Sequence, residues 1–320
     1  MDFFNSLSTV VSAMAQLIFL AGCGYFLVKK DILTPETLKI LSRIVLILIF
    51  PSFVFHKLVS SFTFSQFPHW WIYPIFSFAI IGSAFLIALA FLRLNPEFGQ
   101  KREFLSSITF SNAGYLPLVL IATLFDKEIA SRLFIYLFLF LLGFNLLVWS
   151  FGVTLLAGDR EEKNTFKNMF SPPVIAILLG LMVVFFKISS FIPSFLMKAF
   201  ESLGSCTLPL ALIVVGGNLA LINMQSIFKN RQLQVIVFIK LILLPFLAIF
   251  ILLFFDINPL IKFLLLLEAA MPTAVSLSVI CRNFELKGVL ANQAIFWTHL
   301  CSILTLPFFL VIFRAVARLH

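Results

Sequence analysis

The sequence predicts an all-α membrane protein with many spans, and three observations support this fold class. Of its 320 residues 61% are hydrophobic, and the mean hydropathy is +1.10. Only 12% are charged, whereas a soluble domain carries about 25%. The apolar runs repeatedly reach the roughly 20 residues that a helix needs to cross a bilayer. They are continuous rather than alternating, which excludes a transmembrane β-barrel.

Ten apolar stretches have the length of a membrane span, and short loops connect them. They are residues 8–28, 37–59, 70–92, 103–124, 131–157, 170–187, 195–222, 231–254, 259–281 and 290–315. The polar loop at 157–164 separates the fifth span from the sixth, so we expect two five-span halves, 1–157 and 158–320. The first stretch has no basic segment before it and is expected to remain in the mature protein.

Lysine and arginine are unequally divided between the two sides of the predicted membrane. Loops after odd-numbered spans carry 14 of them, and the opposite side with both termini carries 8. Because basic residues favour the cytoplasmic side, both termini are predicted outside the cell membrane. These loops also account for the net charge of +9, so nucleic-acid binding is not expected. The four cysteines show no spacing typical of a metal or redox site, and no metal is expected.

The proline positions indicate an internal repeat. Pro51 and Pro117 lie 66 residues apart in spans two and four, and Pro209 and Pro272 lie 63 apart in spans seven and nine. Two similar halves with an odd number of spans must have opposite orientations in the bilayer. That is the inverted repeat of many secondary transporters. Chance coincidence among 14 prolines is the alternative explanation.

Spans four and nine each contain a break near mid-depth, SNAGYLP at 111–117 and EAAMPTAVS at 268–276. A proline removes a backbone donor, and an unsatisfied backbone group costs several kcal/mol in hydrocarbon. For one break alone, a packing kink is the simpler explanation. Two breaks at corresponding positions indicate a transport site, since the half-helices begin with unpaired N–H groups that attract an anion. The residues assigned to this carboxylate-binding site are Asn112, Gly114, Pro117, Pro272, Thr273 and Ser276.

Three ionisable residues are predicted deep in the membrane, Lys240, Glu268 and His299. Because such groups are costly to hold in lipid, all three are candidates for ion coupling with a proton or Na⁺. Lys240 and Glu268 are expected at similar depth in antiparallel spans and therefore to form an ion pair, either structural or ion-coupling. His299 fits a proton relay or a hydrogen-bonded packing residue. No cofactor is expected.

The chain resembles the auxin efflux carrier family over essentially its whole length, as a bacterial permease-like member. The matching stretches are SNAGYLPL (111–118), GFNLLVWSFGV (143–153), NMFSPPVIAILLGL (168–181), LGSCTLPLALIVVGGNLA (203–220), AAMPTAVSLSV (269–279) and LTLP (304–307). The resemblance implies ten helices in two inverted five-helix repeats, similar to bile-acid symporters and sodium/proton antiporters. It also implies that helices four and nine cross at their prolines, here Pro117 and Pro272.

The same resemblance implies two moving parts, a scaffold domain of helices one, two, six and seven and a transport domain of helices three to five and eight to ten. Asn112 matches the first crossover asparagine that binds an indole carboxylate in plant members. Ser276 stands where many members have the second asparagine. Asn145 and Asn218, in the family-like stretches GFNLLV and GGNLA, are further pocket candidates. The scaffold domain also suggests a homodimer.

The predicted function is secondary transport of small organic anions, such as dicarboxylates or auxin-like acids, by an elevator-type mechanism. A potential-driven uniporter remains open, because an interior negative potential alone can expel an anion. A channel and a non-transporting sensor also remain open. An intramembrane enzyme is not expected, since the sequence has no HExxH motif and no pair of membrane aspartates.

Overall fold

The computed structural model describes residues 3–158, 170–221 and 230–317, and these ranges contain α-helices and no β-strand. The helices are α1 (Phe3–Lys29), α2 (Pro35–Ser61), α3 (Ile72–Leu94), α4 (Lys101–Thr109), α5 (Tyr115–Leu124), α6 (Lys127–Ala157), α7 (Pro172–Phe185), α8 (Ser194–Leu221), α9 (Arg231–Leu253), α10 (Pro259–Ala270), α11 (Ser276–Asn283) and α12 (Val289–Ala317). The all-helical prediction is therefore confirmed for the described ranges.

Seven of these helices are long and apolar enough to cross a membrane, namely α1, α2, α3, α6, α8, α9 and α12. The chain is thus a multi-pass membrane protein. The predicted sixth span is the shorter apolar helix α7. The predicted fourth and ninth spans are each divided, into α4 and α5 and into α10 and α11. Most of the 157–164 loop lies outside the described residues, as do Arg160, Lys163, Lys167, Lys229 and Arg318 of the charge count.

Helix starts follow local sequence signals. Each of four helices begins after a side chain that accepts hydrogen bonds from first-turn N–H groups, which otherwise have no partner. Asp126 caps α6 by accepting from the N–H groups of Glu128 and Ile129, both at 2.9 Å. The other three capping residues are Thr34, Asn230 and Asn258.

Two of the prolines lie inside continuous helices just after a wider π-helical turn. Pro51 follows the turn Val45–Ile49 in α2, and Pro245 follows the turn Ile239–Leu243 in α9. A proline ring collides with the carbonyl four residues earlier in a regular helix, and a wider turn relieves that collision. These prolines therefore bend or widen their helices without ending them, unlike the breaks in spans four and nine.

The first and eighth helices approach each other at backbone distance. A Cβ on Gly24 would collide with the carbonyl of Ile213, and a Cβ on Gly216 would collide with the carbonyl of Ala21. Glycine alone permits this separation, as is common where membrane helices associate closely. The pair α1–α8 is consequently a rigid contact next to the site described below.

The two divided spans lie in the protein interior. Every residue from Phe104 to Ala113 is buried, and so is every residue from Phe263 to Ala274. Irregular backbone at membrane depth is tolerated where protein encloses it, because lipid offers no hydrogen bonds. The surrounding helices include α3, α6 and α12.

Candidate functional site

The two helix breaks meet. Between α4 and α5, and between α10 and α11, the chain is extended, and Ser111 and Thr273 form an antiparallel bridge. The Asn112 N–H donates to the Pro272 carbonyl at 2.8 Å, and the Ala274 N–H donates to the Phe110 carbonyl at 2.9 Å. Backbone groups freed in one segment are thus satisfied by the other. We call these two extended segments, 110–114 and 271–275, the crossing.

The crossing is not at both prolines, as the family resemblance implied. Pro272 lies in it, whereas Pro117 is the third residue of α5 and lies beyond the contact. A proline is well tolerated there, because first-turn N–H groups of a helix have no intrahelical partner. The expectation is therefore corrected to a crossing centred on Ser111 and Thr273.

Three carbonyls in the last turn of α4, those of Ser106, Ser107 and Ile108, accept hydrogen bonds from three different donors. The Phe110 N–H donates to the Ser106 carbonyl at 3.0 Å. The Thr273 hydroxyl donates to the Ser107 carbonyl at 2.9 Å. The ammonium of Lys240 donates to the Ile108 carbonyl at 2.7 Å, and also to the Ser111 hydroxyl at 2.8 Å. The hydroxyl proton of Thr273 is therefore used by the fold, and a ligand would meet only its oxygen lone pairs.

Asn112, the leading candidate, lies inside the crossing and contacts α12. Its side-chain nitrogen Nδ2 is 3.0 Å from Nε2 of His299, although 187 residues separate them in sequence. The other ring nitrogen of His299, Nδ1, is 2.7 Å from the Ile295 carbonyl. The preceding residue, Thr298, accepts a hydrogen bond from the Thr273 N–H at 3.0 Å through its hydroxyl. Helix α12 thus holds both segments of the crossing.

Lys240 and Glu268 are both fully buried, but they do not form the predicted ion pair. The Lys240 ammonium is directed to α4 and Ser111. Neither carboxylate oxygen of Glu268 has a hydrogen-bond partner among the described residues. The two residues lie on α9 and α10, which pack against each other. Equal depth was a sound basis for proximity, but it did not determine which way the lysine points.

Of the remaining predicted residues, Gly114 and Ser276 lie at the crossing, whereas Asn145 and Asn218 bond within their own helices. Gly114 precedes α5, no side chain caps this helix, and a Cβ on Gly114 would meet no atom within 4 Å. Ser276 is the first residue of α11. The amides of Asn145 and Asn218 donate to carbonyls one turn earlier in their own helices, those of Leu141 and Val214. No hydrogen bond connects these two asparagines to the crossing.

A cavity of about 820 Å³ lies along α5, bounded by α1 and α8. Its lining is uncharged and mixed in polarity, comprising Ser12, Ala13, Gln16, Leu20, Val119, Ala122, Thr123, Ser205, Leu208 and Pro209. Its volume is in the range of small-molecule sites. None of the predicted site residues is in this lining. Gln16, a polar residue inside the first apolar stretch, faces the cavity, as does Pro209, which the sequence singled out only for its place in the repeat.

The crossing and the cavity share helix α5. Val119, the first α5 residue at the cavity, is five residues from Gly114, or about 7.5 Å along the helix at 1.5 Å per residue. The electropositive start of α5 therefore lies at one end of the helix that lines the cavity. Such an arrangement suits a ligand with an anionic or polar end and an uncharged body.

Comparison with protein families matches the family described as membrane transport protein, over residues 9–166 and 160–310. An uncharacterized transporter of Methanocaldococcus jannaschii is 28% identical over 298 residues, covering 91% of this chain and 94% of that protein. PIN-LIKES 7 of Arabidopsis thaliana is 20% identical over 401 residues, covering 99% and 100%. PIN-LIKES 2 of the same plant is 29% identical over 170 residues, covering 48% and 36%.

Proposed function

Because the chain belongs to the membrane transport protein family, we propose that it is a secondary transporter of small organic anions that works by alternating access. The resemblance to auxin efflux carriers agrees with the plant and archaeal relatives. The chain is a transporter and not an enzyme. The proposal adds a substrate class, a site and a mechanism to that family membership.

The observation that carries the proposal is the antiparallel pairing of the two breaks at Ser111 and Thr273. It brings two half-helix starts, at Gly114 and Ser276, to one region of the protein interior. Each start contributes partial positive charge and N–H donors without a formal charge. A carboxylate is the common small anion that such a site accommodates.

The proposed architecture has ten spans in two inverted repeats, 1–157 and 158–320, with α4–α5 as the fourth span and α10–α11 as the ninth. In this scheme α1 and α8 belong to the scaffold, and α5 belongs to the transport domain. The cavity between them then lies where the two domains slide past each other. We further propose location in the cell membrane with both termini outside, and dimerisation through the scaffold.

Asn112 to Ala is the direct test of the site in purified protein reconstituted into liposomes. We expect radiolabelled malate, malonate or indole-3-acetate to enter saturably with wild-type protein, and flux to fall at least about tenfold in Asn112→Ala, the equivalent of about 1.4 kcal/mol. The matched control is Asn95→Ala, which removes an amide that donates to the Phe91 carbonyl at the end of α3. Its flux should remain near the wild-type level.

Other outcomes of the same assay separate the competing functions. Flux that rises linearly with substrate concentration indicates a channel, and no flux with any carboxylate indicates a sensor. Saturable flux that follows an imposed membrane potential, without any ion gradient, indicates a uniporter. Saturable flux in Asn112→Ala at the wild-type rate would refute the proposed site.

A further inference from the structure

The protonation state of His299 follows from its two hydrogen bonds. A backbone carbonyl can only accept, so Nδ1, at 2.7 Å from the Ile295 carbonyl, must carry a hydrogen. An amide nitrogen can only donate, so Nε2, at 3.0 Å from Nδ2 of Asn112, must be the acceptor. The structure therefore holds His299 as the neutral imidazole with its single hydrogen on Nδ1.

This state fixes the orientation of the Asn112 amide. Its NH₂ group is held by His299, and its carbonyl oxygen Oδ1 makes no hydrogen bond to the described residues. The amide thus presents an acceptor on the side away from His299. An acceptor oxygen repels a carboxylate, so this orientation is the unfavourable one for the anion that the crossing is proposed to bind.

We propose that His299 is the proton-binding residue that couples anion binding to proton uptake, acting as a positioning residue for Asn112. When Nε2 takes a proton from water, it becomes a donor and needs an acceptor. A half-turn of the Asn112 amide about its Cβ–Cγ bond places Oδ1 on the Nε2 hydrogen and turns NH₂ to the opposite side. Both amide hydrogens are then available to a carboxylate.

For a monocarboxylate such as indole-3-acetate the charges balance, because one proton arrives with one carboxylate group. The net charge of the site is then the same before and after loading, which suits movement through a low-dielectric interior; a dicarboxylate such as malate brings one further negative charge. The inference rests on the proposed function and deepens it, since it assigns the coupling ion as a proton and His299 as its carrier.

Few other ionisable groups face this part of α12. Lys240 bonds the end of α4 and Ser111 from α9, and Glu268 lies on α10. Glu103 of α4 bonds the Ala291 N–H at 2.9 Å, eight residues and about 12 Å along α12 from His299. Cys281 of α11 interacts with that same glutamate. Among the described residues, no hydrogen bond joins His299 to Lys240 or to Glu268.

Solid-state NMR on the full chain in lipid bilayers, with isotope-labelled histidine, tests the switch without any substrate. The chain has four histidines, and His299→Gln identifies the signals that belong to position 299. We expect one protonated nitrogen, Nδ1, at alkaline pH and two protonated nitrogens at acidic pH. A neutral imidazole with its hydrogen on Nε2, or one that stays neutral at every pH at which the protein remains folded, would overturn the inference.

The pH dependence of flux in liposomes tests the coupling. Wild-type uptake of malate or indole-3-acetate should increase by up to about tenfold for each unit of pH decrease in the range where His299 is mostly neutral, because one proton binds with each anion. Glutamine at 299 keeps a hydrogen-bonding amide beside Asn112 but cannot titrate, so His299→Gln should flatten the profile. His69→Gln, in the exposed segment after α2, is the matched control and should keep the wild-type slope.

The two measurements separate the two proposals. A His299→Gln profile equal to that of wild type contradicts the coupling. Absence of flux in wild-type protein at every pH contradicts the transport of these anions, and the labelled-histidine titration still decides whether the switch exists.

Discussion

Lys240 places an ammonium group at the end of a helix in the interior of the protein. Its Nζ bonds the carbonyl of Ile108, in the last turn of α4, where carbonyl groups carry partial negative charge. It also bonds Ser111, which belongs to the crossing. Glu268 lies on the adjacent helix α10, and neither of its carboxyl oxygens has a hydrogen-bond partner among the described residues. The lysine therefore serves the crossing directly and does not bond Glu268.

A double-mutant cycle tests this division of roles. Lys240→Met keeps most of the side-chain volume but removes the donor to Ile108 and Ser111. We expect a loss of about 1–3 kcal/mol in unfolding free energy, because two buried acceptors lose their donor. Removing both charges in Lys240→Met/Glu268→Gln should be less harmful than Lys240→Met alone. The measurement is thermal unfolding in detergent; additive losses in the double variant would contradict an electrostatic link between the two groups.

At this scale the sequence predicted several residues that lie at or near the crossing, but it did not predict their contacts. The breaks identified Asn112 and Thr273, and depth alone identified Lys240 and Glu268. Side-chain direction depends on helix rotation, which a continuous apolar pattern does not encode. For that reason the prediction of a Lys240–Glu268 ion pair was wrong, and the contact between Asn112 and His299 was not predicted. Gln16, a polar residue in an apolar stretch, is the one sequence signal that points to the cavity.

At the scale of elements, the breaks are stable because the crossing is built from two extended segments that satisfy each other. Pro272 cannot donate a hydrogen bond, but its carbonyl accepts one from Asn112. The proline and glycine patterns predicted both interruptions from sequence, since these residues have known backbone consequences. The π-helical turns before Pro51 and Pro245 were not predicted, because no sequence signal separates a widened helix from a broken one.

Glycine substitutions in α1 test the close contact between α1 and α8. Gly24→Ala forces a methyl group against the carbonyl of Ile213, so we expect a loss of about 1–3 kcal/mol in unfolding free energy, the usual cost of overpacking. Gly22→Ala is the matched control, because a Cβ at that position meets no atom within 4 Å. Thermal unfolding of the two variants in the same detergent gives the comparison. Equal melting temperatures would show that the two helices are not so close.

In the whole molecule, long helices enclose the two divided spans, α4–α5 and α10–α11. The cavity lies where α5 of the first divided span meets the long helices α1 and α8. The hydropathy of the chain predicted a multi-pass helical protein, and seven helices have spanning length. It did not predict the cavity between α1, α5 and α8, because a cavity depends on the relative placement of helices distant in sequence. The inverted repeat and the sliding domains stay predictions of the sequence and the family resemblance.

The central claim is that residues 111 and 273, 162 positions apart in sequence, lie side by side in the membrane. Their bridge has hydrogen bonds on either side and none between them, the arrangement in which opposing Cα atoms are about 4.5 Å apart, within the range of a disulfide. The direct measurement is oxidative cross-linking of Ser111→Cys/Thr273→Cys in native membranes, with the four natural cysteines replaced. We expect an intramolecular disulfide for this pair and none for Pro117→Cys/Thr273→Cys. Two results would contradict the contact between residues 111 and 273. One is failure of the first pair to cross-link although each single-cysteine variant remains folded. The other is equal cross-linking of both pairs.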